Sequence, residues 1–152
     1  MSGLEVTTGG GWQRGRCPLR FRETGCTGSF VDKEELKTRC KRFALLVMRL
    51  SDDLPRTTKG RVLAHQLLRS ATSVAAGYRA ACRARSQADW VDKIGRVLEE
   101  ADESLLWLEL IEEGAVLARE HVADLRCEAA QLTALFAAIH RTSKSQILNP
   151  KS

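Results

Sequence analysis

Aromatic residues make up only 5% of the 152 residues, and proline occurs three times, each time outside a periodic segment. A β-sandwich would need β-branched and aromatic runs cut by frequent turns, so this scarcity favours helices. No apolar run approaches the ~20 residues of a membrane span. The N-terminus lacks the apolar stretch of a secretory signal, and the expectation is a cytoplasmic protein without membrane contact. The five cysteines, Cys17, Cys26, Cys40, Cys82 and Cys127, are odd in number and form no CxxC pair. That spacing argues against a disulfide framework; reduced thiols acting as small hydrophobes are expected.

Catalytic patterns are absent as well. No Gly-x-Ser-x-Gly elbow, phosphate-binding loop or GxGxxG occurs, so acyl transfer, nucleotide hydrolysis and dinucleotide binding have no sequence support. A di-metal bundle site needs Glu-x-x-His on two helices, but Val62, Ala118 and Ala137 stand three residues before His65, His121 and His140. Cys82 has arginines nearby but no base placed by any pattern, so it reads as structural. His65 reads as a surface or capping residue. The expectation is a non-enzyme with no cofactor, no metal and no small-molecule substrate.

What is present is periodicity. The length suits one domain with a real core. Residues 1–30 are rich in Gly and Arg and read as a flexible basic tail. Trp12 and Phe21 among its cations would suit stacking on RNA, but a solvated tail is the first reading. Leu36, Cys40, Phe43, Val47, Leu50 and Leu54 then recur at steps of three and four. They form the seam of a helix that Asp32 and Glu35 begin and Pro55 ends.

A second helix is expected over about 58–84, with Leu63, Leu67, Ser70, Val74, Gly77 and Ala81 on one stripe. A third runs from about 87 to 113, opened by Ser86 and Asp89 and closed by Gly114 as the residue past the end. Its seam is Trp90, Ile94, Val97, Ala101, Leu105, Leu108 and Ile111. A fourth spans about 118–144, with Val122, Leu125, Ala129, Leu132, Phe136 and Ile139 inward. Four such helices with short links predict an all-α, up-down-up-down antiparallel four-helix bundle over 31–146, with 147–152 fraying.

The densest run of small residues, Ser70, Ala71, Ser73, Ala75, Ala76, Gly77, Ala80 and Ala81, lies in the second helix. Small side chains let a neighbouring backbone come close. Gly77 costs about 1 kcal/mol relative to Ala in a helix interior, and close approach of another helix would offset it.

Charge is segregated. Arg56 to Arg85 holds seven basic residues and no acid, a charge of +7. Ser86 to Glu113 holds nine acids against Lys93 and Arg96, a charge of −7. Either the two helices pair these charges within one chain, or the acidic face of one copy meets the basic face of another. The latter contact is heterologous and can close into a ring. The candidates for the basic face are Arg69, Arg79, Arg83 and Arg85; those for the acidic face are Glu99, Glu100, Asp102 and Glu103. A basic helix of this density also suits RNA or DNA phosphate, with binding that falls as salt rises.

The stretches LPRTTKGRVLAHQLLRSATSVAAGYRAACRARSQADWVDKI and LEEADESLLWLELIEE resemble bacterial four-helix-bundle proteins named after open reading frames in intervening sequences of large-subunit ribosomal RNA genes. The resemblance covers roughly 34–144 and leaves out the tail before Phe30. It implies a small cytosolic bundle that assembles as a closed ring of about five copies, with no established molecular function. Related bundles that accompany reverse transcriptases in diversity-generating retroelements bind polymerase and nucleic acid through a basic surface. By that analogy a nucleic-acid or protein partner is expected here. Matching residues that could carry an interface are Gln66, Arg69, Ser70, Ser73, Tyr78, Arg79, Glu100, Glu103 and Trp107. The chain departs from the family at Gly77, where Asn commonly precedes the Tyr. A hydrogen bond made by that Asn would be missing here.

Overall fold

The structure is a computed structural model and describes residues 32–148. The tail expected over 1–30 lies outside the described residues. The chain folds as α1 (Lys33–Asp53), α2 (Thr58–Ala81), α3 (Gln87–Glu113) and α4 (Arg119–Leu148). Each helix packs on its sequence neighbour and α1 also meets α4, which closes the up-down bundle; α1 and α3 occupy diagonally opposite corners, with no close approach of their backbones.

The helix starts follow the polar residues just ahead of them. Asp32 accepts from Glu34 N at 3.3 Å, Thr57 from Gly60 N at 3.2 Å and Ser86 from Asp89 N at 3.1 Å. Each such cap satisfies an amide that has no partner within the helix. Gly60 is fixed by space, since a Cβ there would stand 2.0 Å from the Pro55 carbonyl oxygen.

Helix ends depart more from expectation. α2 stops at Ala81 rather than 84, because Arg83 N and Ala84 N turn back onto the Ala80 and Ala81 carbonyls at 3.1 and 2.9 Å. α3 ends where expected, but Gly114 is not its left-handed residue. Gly114 has φ −75°, and Ala115 takes φ 47°. Val116 N reaches Ile111 O at 3.0 Å and Ala115 N reaches Glu112 O at 3.1 Å. These are the two bonds of a Schellman ending with alanine in the place glycine usually fills. α4 continues to Leu148, past the expected 144 and into the segment expected to fray.

The inward seams meet in one core. Phe43, Leu67, Ile94, Leu108, Leu132 and Phe136 are among its largest members, all essentially without exposure. Tyr78 joins them, with its ring 5.5 Å from Phe136 and 6.5 Å from Trp90. Trp90 in turn donates its indole N–H to Ser143 on α4 at 2.9 Å and carries the Lys33 ammonium 5.6 Å from its ring centre. The first helix, the start of the third and the end of the fourth are tied together there.

Candidate binding surface

α2 and α3 approach closely because small residues face each other. Ser70 and Ser104 are both fully buried and share a hydrogen bond. Gly77 faces Val97, whose methyl would lie 3.0 Å from a Cβ at that position. The expected close approach of a second helix at Gly77 is therefore made by α3 of the same chain.

The charged candidates divide into two groups. Arg69 reaches across from α2 to α3: its guanidinium bonds both oxygens of Glu100 at 3.4 Å and also the Glu103 carboxylate. Its Nε donates to Gln66 at 3.3 Å. Gln66, Arg69, Glu100 and Glu103 thus form one intrachain cluster, the internal pairing that the charge pattern allowed. Because Arg69 and Glu103 remain well exposed, the cluster adds little stability.

The second group stays unpaired. Arg79, Arg83 and Arg85 are exposed and their side chains form no ion pair among the described residues; the same holds for Glu99 and Asp102. Arg61, His65 and Arg79 follow the outward side of α2, and Arg83 lies in the turn just past its end. Past the helix end, Arg85 donates its backbone N–H to Asp89 at 2.9 Å. The Lys93 ammonium, with that amide, holds the Asp89 carboxyl below its ordinary range.

Two candidates change their place. Tyr78 was expected on an interface, but it is 2% exposed and belongs to the core. It stands four residues after Val74 on the buried stripe, so the helical period already pointed inward. Ser70, another matching residue, is spent on the α2–α3 contact. Trp107 is half-buried, and its indole N–H is a buried donor without an acceptor among the described residues.

Sequence reasoning missed a polar tie between the ends of the chain. Arg39 on α1 grips Glu128 on α4 with Nε–Oε1 at 2.7 Å and a second bond to Oε2 at 3.0 Å, and it donates to Gln131 at 2.9 Å. Glu128 is 5% exposed. Nothing in local spacing signals this pair, because it depends on how α1 and α4 lie side by side.

Among the described residues, no cluster of His, Cys, Asp and Glu could hold a metal, and no helix is long and apolar enough to cross a membrane. Fold and surface together define an all-α bundle with a hydrophobic core and a strongly charged exterior. The chain belongs to the 23S rRNA-intervening sequence protein family, whose model matches residues 33–138. It is similar to a crystal structure of a protein of unknown function from the S23 ribosomal protein family of Bacteroides thetaiotaomicron VPI-5482. That chain is 31% identical, with a TM-score of 0.64, over 69% of this chain and 97% of the other. None of the curated proteins matches this chain.

Proposed function

We propose that this chain is a non-enzymatic, homo-oligomeric scaffold or binding protein of the cytoplasm, closing into a ring of about five copies as the family resemblance implies, with the outward side of α2 as its docking face. The observation that carries this reading is the set of exposed cations, Arg79, Arg83 and Arg85, left without carboxylate partners while neighbouring Arg69 is fully engaged. Unpaired arginines at the end of α2 and in the link that follows it keep their donors available for carboxylate or phosphate. The test is Arg79→Glu: oligomer mass or partner affinity falls while helix content stays near wild type. Unchanged mass together with unchanged affinity for polyanions would remove the reading.

A second reading, an RNA- or DNA-binding accessory factor, draws on Arg83 and Arg85 beside the N-terminus of α3. A helix N-terminus adds partial positive charge to theirs, a combination that suits phosphate. Filter binding at two salt concentrations separates the readings, because phosphate contacts weaken steeply as salt rises.

A further inference from the structure

Two outward faces of the bundle match each other in both polarity and charge. On α1, Leu45 and Met48 are each 48% exposed. The residues three and four positions from Leu45 are Lys41, Arg42, Met48 and Arg49, which a helix places around it on one face. Those three cations are exposed and form no ion pair among the described residues. On α3, Leu106 and Leu110 are 46% and 43% exposed and stand one turn apart. Asp102, Glu109 and Glu113 flank them, again without an ion pair among the described residues. The acids on the α1 strip stand at its ends: Asp52 a turn beyond Met48, and Glu34, paired with Lys37, at the start of the helix.

We infer that the α1 face of one copy docks on the α3 face of a second copy, with the Leu45–Met48 pair on the Leu106–Leu110 pair and the cations meeting the carboxylates at the rim. This rests on the homo-oligomer reading above and assigns its interface. The apolar centre removes surface from water, and the charged rim sets orientation and partner choice. Leaving either apolar pair exposed is the state such a contact relieves.

The geometry also fixes the kind of assembly. α1 and α3 sit at diagonally opposite corners of the bundle, their backbones kept apart by α2 and α4. One pair of copies therefore cannot make the contact twice about a two-fold axis. Each copy gives its α1 face to one neighbour and its α3 face to another, a head-to-tail arrangement that closes as a ring when the rotation allows.

The test uses the full chain and two variants, Leu45→Glu and Leu106→Lys, each placing a like charge against the opposing rim. Light scattering behind a sizing column gives mass, and circular dichroism gives helix content. Where either variant loses helix, Leu45→Ser and Leu106→Ser replace the pair. We expect wild type at a multiple of 16.9 kDa, each variant at monomer mass, and a one-to-one mixture at twice that mass or above. Each variant keeps one intact face, so the mixture joins at least once, and the introduced Glu and Lys, opposite in charge, allow it to join again. Wild type at monomer mass overturns the oligomer reading itself. Wild type as an oligomer with both variants at the same mass overturns this assignment and leaves that reading standing. Monomeric variants that fail to dimerise on mixing show that the two faces do not meet each other, and this also overturns the assignment.

Discussion

The Ser104 hydroxyl donates to Ser70 Oγ at 2.9 Å in the middle of the α2–α3 contact, and neither residue has any exposure. Both lie where α2 and α3 pack, and each Oγ is also within reach of a carbonyl of its own helix: Ser70 donates to Leu67 O at 3.2 Å, while the one Ser104 proton is shared between Ser70 Oγ and Glu100 O, each 2.9 Å away. Every polar atom there has a partner, so the pair causes no desolvation penalty.

Truncation and enlargement should therefore differ. Ser104→Ala removes one neutral hydrogen bond and should cost about 1 kcal/mol. Ser104→Val forces extra volume into a close helix contact while also losing the bond, and should cost about 2–3 kcal/mol. Urea denaturation of both variants checks the order. Equal losses would show that packing does not limit this contact.

The Arg39–Glu128 pair predicts a larger effect. Removing one partner of a buried ion pair strands the other charge, at about 3–5 kcal/mol for full burial. The Arg39 side chain keeps 20% of its exposure, so Glu128→Ala should cost about 2–3 kcal/mol after screening. Because the pair ties α1 to α4, hydrogen exchange should rise first along α1. A loss under 1 kcal/mol would mean that the bond is no more than a surface pair.

How much of this was legible follows from distance along the chain. The α1 seam from Leu36 to Leu54 is buried at every expected position, because a helix period of 3.6 makes burial a local property. The α2–α3 pairing of Arg69 with Glu100 and Glu103 was legible only as one of two arrangements, since charge segregation does not say which copy supplies the partner. The Arg39–Glu128 bond joins residues 89 apart, and no local pattern records the axial register of two helices. Tyr78 went astray for a different reason: its match to the family motif marked it for an interface, although its period, four residues after Val74, placed it inside.

Ala115 offers a gain in stability. At φ 47° it occupies the left-handed region, which an L side chain enters at a cost of about 1 kcal/mol and glycine enters freely. Ala115→Gly should raise stability by about 0.5–1 kcal/mol, offset in part by the extra freedom of glycine in the unfolded chain. Ala115→Val, β-branched at the same φ, should lower it. Thermal unfolding of the two variants should move in opposite directions.

Gly77 gives a test by double-mutant cycle. Alanine would gain about 1 kcal/mol of helix propensity but would set its Cβ 3.0 Å from a Val97 methyl in the core. The two effects oppose, so Gly77→Ala alone should shift stability by less than about 1 kcal/mol. In a Val97→Ala background the clash disappears, and the same change should stabilise by the full propensity gain of about 1 kcal/mol. Additivity across the four proteins would remove the contact as the reason for glycine.

High pH should unfold this bundle through two buried acids. Cys40 has no exposure, and burial pushes its thiol up to about 12. Tyr78 is raised first by the same burial and then by Cys82 beside it. In the unfolded chain these groups release protons near 8.5 and 10, while the folded state still holds them. The unfolded state then binds fewer protons, so stability falls as pH rises, by up to about 1.4 kcal/mol per pH unit for each group. For Cys40 the loss begins near the ordinary thiol value and ends near 12, where the folded thiol titrates too. Cys40→Ala should flatten the stability profile between about pH 9 and 10, and Tyr78→Phe should flatten it only above about 10. Their intrinsic packing costs displace the curves without changing those slopes. A Cys40→Ala profile parallel to wild type from pH 8 to 11 would show that the thiol reaches water in the folded protein.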